Sequence, residues 1–128
     1  MKKLLSDVDI NANEARFIAA GLRALARCDG LDAGELGLIE QFERELGTGS
    51  TAQVGFDVAA SPLRGEAQQG VLVRTLVMLS FVDGRVSSRE DAFIRDVCAQ
   101  LGIDATTRAA HEVEAKKFLL ASLEGVEH

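Results

Sequence analysis

The sequence predicts an all-α fold: one helical domain of about five to seven helices, built from two similar helical hairpins. Three observations carry this. Apolar residues recur at helical spacing in segment after segment. A side-chain acceptor followed three residues later by Glu, the pattern of a capping box, occurs at Asn11–Glu14, Asp32–Glu35 and Ser87–Glu90. A helix-Asp-Gly-turn-helix plan occurs twice, from Ala24 to Glu35 and from Met78 to Glu90.

Taken in order, residues 1–10 read as a loosely held arm. Asn11-Ala12-Asn13-Glu14 opens a helix to about Cys28, with Ile18, Leu22, Leu25 and Ala26 on one face and Gly30 as its stop. Asp32-Ala33-Gly34-Glu35 opens a second helix, from about Ala33 to Leu46. Leu36, Ile39, Phe42 and Leu46 form its buried stripe, and Gly47 ends it. Glu40, Glu43, Arg44 and Glu45 mark its other face as solvated. Thr48-Gly49-Ser50 is a loop, and a short helix weakened by Gly55 is expected over Thr51–Ala60. Ser61-Pro62 reads as the next helix start, becoming regular near Glu66 because Gly65 and Gly70 soften its first turns.

From Val71 to Val82 only Arg74, Thr75 and Ser80 interrupt the apolar run, as expected of a helix in the middle of a domain. Asp83-Gly84 ends it. Ser87-Ser88-Arg89-Glu90 then opens a helix whose core face is Phe93, Ile94, Val97, Cys98 and Leu101, with Gly102 as its stop. Asp104 caps a last helix running to about Ser122. Its expected core residues are Ala109, Ala110, Val113 and Leu120, with Lys116 and Lys117 near its end suiting the helix dipole.

Composition narrows the function. The chain has 128 residues, 47% of them hydrophobic, with six Phe and no Trp or Tyr. That length buries a core without staples, and the scarcity of aromatics argues against base-stacking platforms. A net charge of −6 disfavours nucleic acid as the partner, because phosphate affinity comes from clustered Lys and Arg. The stretch Met1-Lys2-Lys3-Leu4-Leu5-Ser6-Asp7 is broken by acids before a signal-peptide core forms, and no apolar run reaches membrane-spanning length. The expectation is a cytoplasmic protein without membrane insertion. Cys28 and Cys98 read as small buried hydrophobes; with His111 and His128 they show no zinc spacing. His111, amid Glu112 and Glu114, reads as a surface residue. No nucleophile–base grouping and no phosphate-binding glycine loop is present, so no enzyme is expected.

Aligning the two copies pairs Leu22 with Leu76, Leu25 with Leu79, Asp29 with Asp83 and Gly30 with Gly84. After one extra residue in the second turn, Glu35 falls on Glu90, Ile39 on Ile94, Leu46 on Leu101 and Gly47 on Gly102. The repeats span about 14–47 and 66–102, followed by the C-terminal helix at about 105–122.

The second copy, Val82-Asp83-Gly84-Arg85-Val86-Ser87-Ser88-Arg89-Glu90 followed by Ile94 and Leu101-Gly102-Ile103, resembles the TerB-like tellurite-resistance family. That family also includes the membrane-proximal domain of DjlA-type DnaJ proteins. The resemblance runs over roughly residues 14–120. Two departures are visible in the first copy: it is one residue shorter between Gly30 and Glu35, and Cys28 stands where a small Ala is usual.

The resemblance implies a non-enzymatic binding module associated with tellurite, metal or chemical stress, and a divalent-metal site built from the acidic loops. Asp29, Glu35, Asp83 and Glu90 would be the ligands, with Asp32 as a fifth. Carboxylates without His or Cys suit Ca²⁺, Mg²⁺ or Mn²⁺ rather than zinc. The alternative is a scaffold for a protein partner, in which these acids do no more than cap helices. Glu35 and Glu90 stand where a capping box wants Glu. Asp29 and Asp83 follow helix ends that favour cations, although Asp-Gly is also a common turn pair.

Overall fold

The computed structural model describes residues 10–28, 33–51, 54–81 and 87–126. Among them are five α-helices and no strand: α1 Ala12–Cys28, α2 Ala33–Leu46, α3 Glu66–Ser80, α4 Ser88–Leu101 and α5 Ala105–Val126. A 3₁₀ turn, Val58–Ala60, lies between α2 and α3. Helix α1 packs on α2 and α4 follows α3 as its packing partner, giving the two hairpins, while α1 also crosses α3 and α4.

The expected helix starts at Asn11, Ser87 and Asp104 are built from local polar chemistry, while Asp32 lies outside the described residues. The Glu14 backbone N–H donates to Asn11 Oδ1 at 2.8 Å, and Glu14 Oε1 accepts from the Asn11 backbone N–H at 3.0 Å. Ile18, Leu22, Leu25 and Ala26 are then buried along α1. Asp104 Oδ1 accepts from the Thr107 backbone N–H at 2.7 Å, which starts α5 and holds the Asp104 carboxyl below its ordinary range. The stops are equally local. Gly47 and Gly102, paired by the duplication, have φ of +68° and +77° after α2 and α4, a conformation that costs an L side chain about 1 kcal/mol or more.

Helix α3 is the centre. From Gly70 to Ser80 every residue except Arg74 is buried, because α1, α4 and α5 surround the helix. Its buried hydroxyls are satisfied within the helix. The Thr75 hydroxyl donates to the Val71 carbonyl at 2.8 Å, and the Ser80 hydroxyl to the Val77 carbonyl at 2.6 Å. Leu72, Leu76 and Leu79 meet Ile18, Leu22, Ile39, Phe42, Ile94 and Val97 in one continuous core.

Three expectations are corrected here. Residues 54–57 are not helical; Phe56 inserts between Phe17 and Phe93, with ring centroids 4.8 Å and 5.9 Å apart, and that tertiary contact wins over weak local propensity. Ser61-Pro62 does not open α3. The Ser61 hydroxyl accepts from the Leu63 backbone N–H at 3.1 Å and Leu63 is buried; the helix begins at Glu66, where the sequence predicts that it becomes regular. Finally, α5 continues to Val126 and presents a different face from the one expected. Ala109, Ala110 and Val113 are exposed, Val113 by 50%, whereas His111, Ala115 and Phe118 face α3 and the core. The small apolar residues of its first half give no decisive stripe there, and only packing on α3 selects Ala115 for burial. The side chain of Leu120 lies outside those described.

Candidate functional site

Of the four expected ligands, Glu35 and Glu90 are described; Asp29 and Asp83, with Asp32, lie outside the described residues. Glu35 and Glu90 each occupy the third position of a helix, α2 and α4, and are 6% and 4% exposed. At α4 the capping box is complete. The Glu90 backbone N–H donates to Ser87 Oγ at 3.1 Å, and Glu90 Oε1 accepts from the Ser87 backbone N–H at 3.3 Å. Among the described residues no group of three or more His, Cys, Asp or Glu is arranged to hold a metal. The two described carboxylates are nevertheless hard oxygen donors, and their chemistry fits Ca²⁺, Mg²⁺ or Mn²⁺.

Glu43, expected on a solvated face, is instead buried, 4% exposed, beside α1. Arg23 Nε and Nη2 donate to its two carboxylate oxygens, both at 2.9 Å, a two-pronged pairing. The Thr51 hydroxyl and backbone N–H donate to the same carboxylate at 2.6 Å and 2.8 Å. Burial alone would raise the Glu43 carboxyl, but the bonds from Arg23 and Thr51 together hold it below its ordinary value. The bond to Glu43 holds the Arg23 guanidinium above its own ordinary value. The cluster thus locks α1, α2 and the loop after Gly49 in one register. A shallow cleft of about 350 Å³ beside it is lined by Glu40, Arg44, Gly47, Gly49 and Ser50 as well as Arg23 and Glu43. Sequence periodicity missed the cluster, although Arg23 does interrupt an otherwise apolar run, Ile18 to Ala26.

The cysteines differ from each other. Cys98 is buried in the core, and burial pushes its thiol up to about 11, so it is protonated and inert at neutral pH. Cys28 is half-buried at the end of α1, where its thiol donates to the Ala24 carbonyl at 3.4 Å. His111, expected on the surface, is half-buried and bonded to Arg74. It lines a second cleft of about 320 Å³, with Glu66, Gln69, Ile103, Asp104 and Thr107.

No described helix is long and apolar enough to cross a membrane. Compared with known proteins, the chain matches a family model described as tellurite resistance protein TerB, over residues 4–113. No curated protein and no solved structure gives a significant match.

Proposed function

Since the chain belongs to the family of tellurite resistance protein TerB, we propose that it is a non-catalytic binding module of the cytoplasmic response to tellurite, metals or related chemical stress. In this reading it holds a divalent cation, Ca²⁺, Mg²⁺ or Mn²⁺, through Asp29, Glu35, Asp83 and Glu90, and works through a protein partner. The observation that supports it is the burial of Glu35 and Glu90 at equivalent places in the two repeats, each following an Asp-Gly pair. Buried carboxylates are costly unless paired or hydrogen-bonded. Both already have partners within the fold, Glu90 at the Ser87 cap; a cation would add charge compensation for the acidic loops and account for the Asp in both Asp-Gly pairs.

A cation that binds only the folded state stabilises it by about 2.7 kcal/mol at 100 times its dissociation constant. Thermal melts with Ca²⁺, Mg²⁺, Mn²⁺ and Zn²⁺, against chelator and against Asp83→Asn, should show a rise with one hard cation that the substitution abolishes. No shift with any ion would sink the cation reading.

A second reading is favoured by the complete capping box at Ser87 and Glu90, which forms without any ion. There the module is a protein-interaction scaffold, and its carboxylates only start helices. Glu90→Gln separates the two, because Gln also completes a capping box but is a poor cation ligand. Near-native stability with unchanged ion response favours the scaffold.

A further inference from the structure

Helix α5 packs along α3 through both apolar and polar side chains. Ala115 is its one fully buried side chain among those described, with Phe118 packed at the margin of the core. Lys116 adds a cation–π contact, its Nζ 5.1 Å from the centre of the Phe81 ring. A polar link joins the two helices as well. Arg74, the one charged residue in the apolar length of α3, places Nη1 3.2 Å from His111 Nδ1.

Arginine can only donate, so Nδ1 must accept, and the neutral ring carries its proton on Nε2. The imidazole also comes close to α3 at Gly70. A Cβ there would stand 2.8 Å from His111 Cε1 and 2.9 Å from Arg74 Nη1, so the absence of a side chain at Gly70 makes room for both. His111 lines the cleft beside Gln69 and Thr107, which gives water and protons a route to the ring.

We propose that His111 is a pH-operated latch: neutral, it accepts the Arg74 hydrogen bond and holds α5 against the central helix; protonated, it releases α5. Protonation removes the acceptor and sets two cations at hydrogen-bond distance in a half-buried site. The other charged groups around the ring, among the described residues, are Glu66 and Asp104 across the cleft and Glu114, Glu112 and Arg108 on α5 itself. The end of α4 contributes only Gly102 and Ile103 there. Glu114 favours the charged ring, and Arg108 lies 3.8 Å from Glu112 in an ion pair. Burial and Arg74 prevail over Glu114, and His111 sits below the ordinary histidine value.

A histidine depressed in the folded state stabilises the fold fully above its unfolded value near 6.5, and that stability is lost as pH falls through the folded value. Each unit of depression is worth about a tenfold change in the folding equilibrium. Acidification therefore works on α5 first, since the latch touches that helix and α3 alone.

The test uses the full chain. The C2 proton of His111 is titrated by NMR, with His128→Gln assigning the only other histidine. Amide hydrogen exchange over 105–118 is then compared at about pH 7.5 and about pH 5.5, either side of the ordinary histidine value, after correction for intrinsic rates. The expected result is titration below 6.5 and faster exchange in α5 at the lower pH, with no such acceleration in His111→Gln, whose amide oxygen still accepts from Arg74. Titration at or above 6.5 in the wild-type chain would overturn the latch. So would equal acceleration in both proteins, or none in the wild type. If His111→Gln does not fold, the titration and the wild-type exchange decide the matter by themselves.

Discussion

At the scale of single residues, Glu43 is the most consequential side chain in the structure. It accepts four hydrogen bonds from Arg23 and Thr51 while nearly closed off from water. Removing one partner of such a pair leaves the other charged and buried, which typically costs about 3–5 kcal/mol. Glu43→Ala should therefore lower the unfolding free energy by about that amount in urea titrations. Arg23→Met combined with Glu43→Leu should cost clearly less, because neither charge is then stranded. The carboxyl is held below its ordinary value of 4.5, so its contribution is present above that pH and is lost as pH falls through the folded value. Wild-type stability should accordingly fall more steeply below about pH 4.5 than that of Glu43→Gln. Cys98 gives a simpler expectation. Its buried, protonated thiol should resist iodoacetamide in the native protein and react only after denaturation, as read by mass spectrometry.

At the scale of elements, helix starts and stops account for most of what the chain does locally. Ser87 supplies the cap of α4, and Ser87→Ala should cost about 1 kcal/mol in a thermal or chemical melt. Gly102→Ala should cost a similar amount, about 1 kcal/mol, since no clash arises there and only the left-handed backbone is strained. These signals are short-range, so they were legible without the fold. Faces were less so. Helix α1 showed its buried side because Ile18, Leu22 and Leu25 are large. Helix α5 did not, because Ala109, Ala110 and Ala115 look alike in sequence and only packing on α3 selects Ala115. The segment around Phe56 failed for a related reason. Its conformation is set by two rings, Phe17 and Phe93, that are remote in sequence.

At the scale of the molecule, α3 is the axis on which the rest is assembled. Leu72 and Leu76 are fully buried and touch both hairpins through the shared core. Leu76→Ala should cost about 2–5 kcal/mol, and the loss should appear as one cooperative transition rather than as melting of a single hairpin. Coincident unfolding followed by circular dichroism and by tryptophan-free probes such as Phe or label fluorescence would check this. The duplication explains the arrangement: each repeat offers one apolar face, and neither face is covered until the other hairpin arrives.

The sequence by itself determined the helical class, the two hairpins, the helix caps at Asn11, Ser87 and Asp104, the stops at Gly47 and Gly102 and the family, because these depend on residues within a turn or two of each other. It also placed Glu35 and Glu90 at equivalent positions, where the fold buries both. Only the tertiary structure decided that Glu43 turns inward to Arg23 and that His111 leaves the surface to meet Arg74. The partners in these pairs are 20 and 37 residues apart. A charged side chain reads as solvated from its neighbours in sequence; what makes burial tolerable is a partner that only the folded chain supplies.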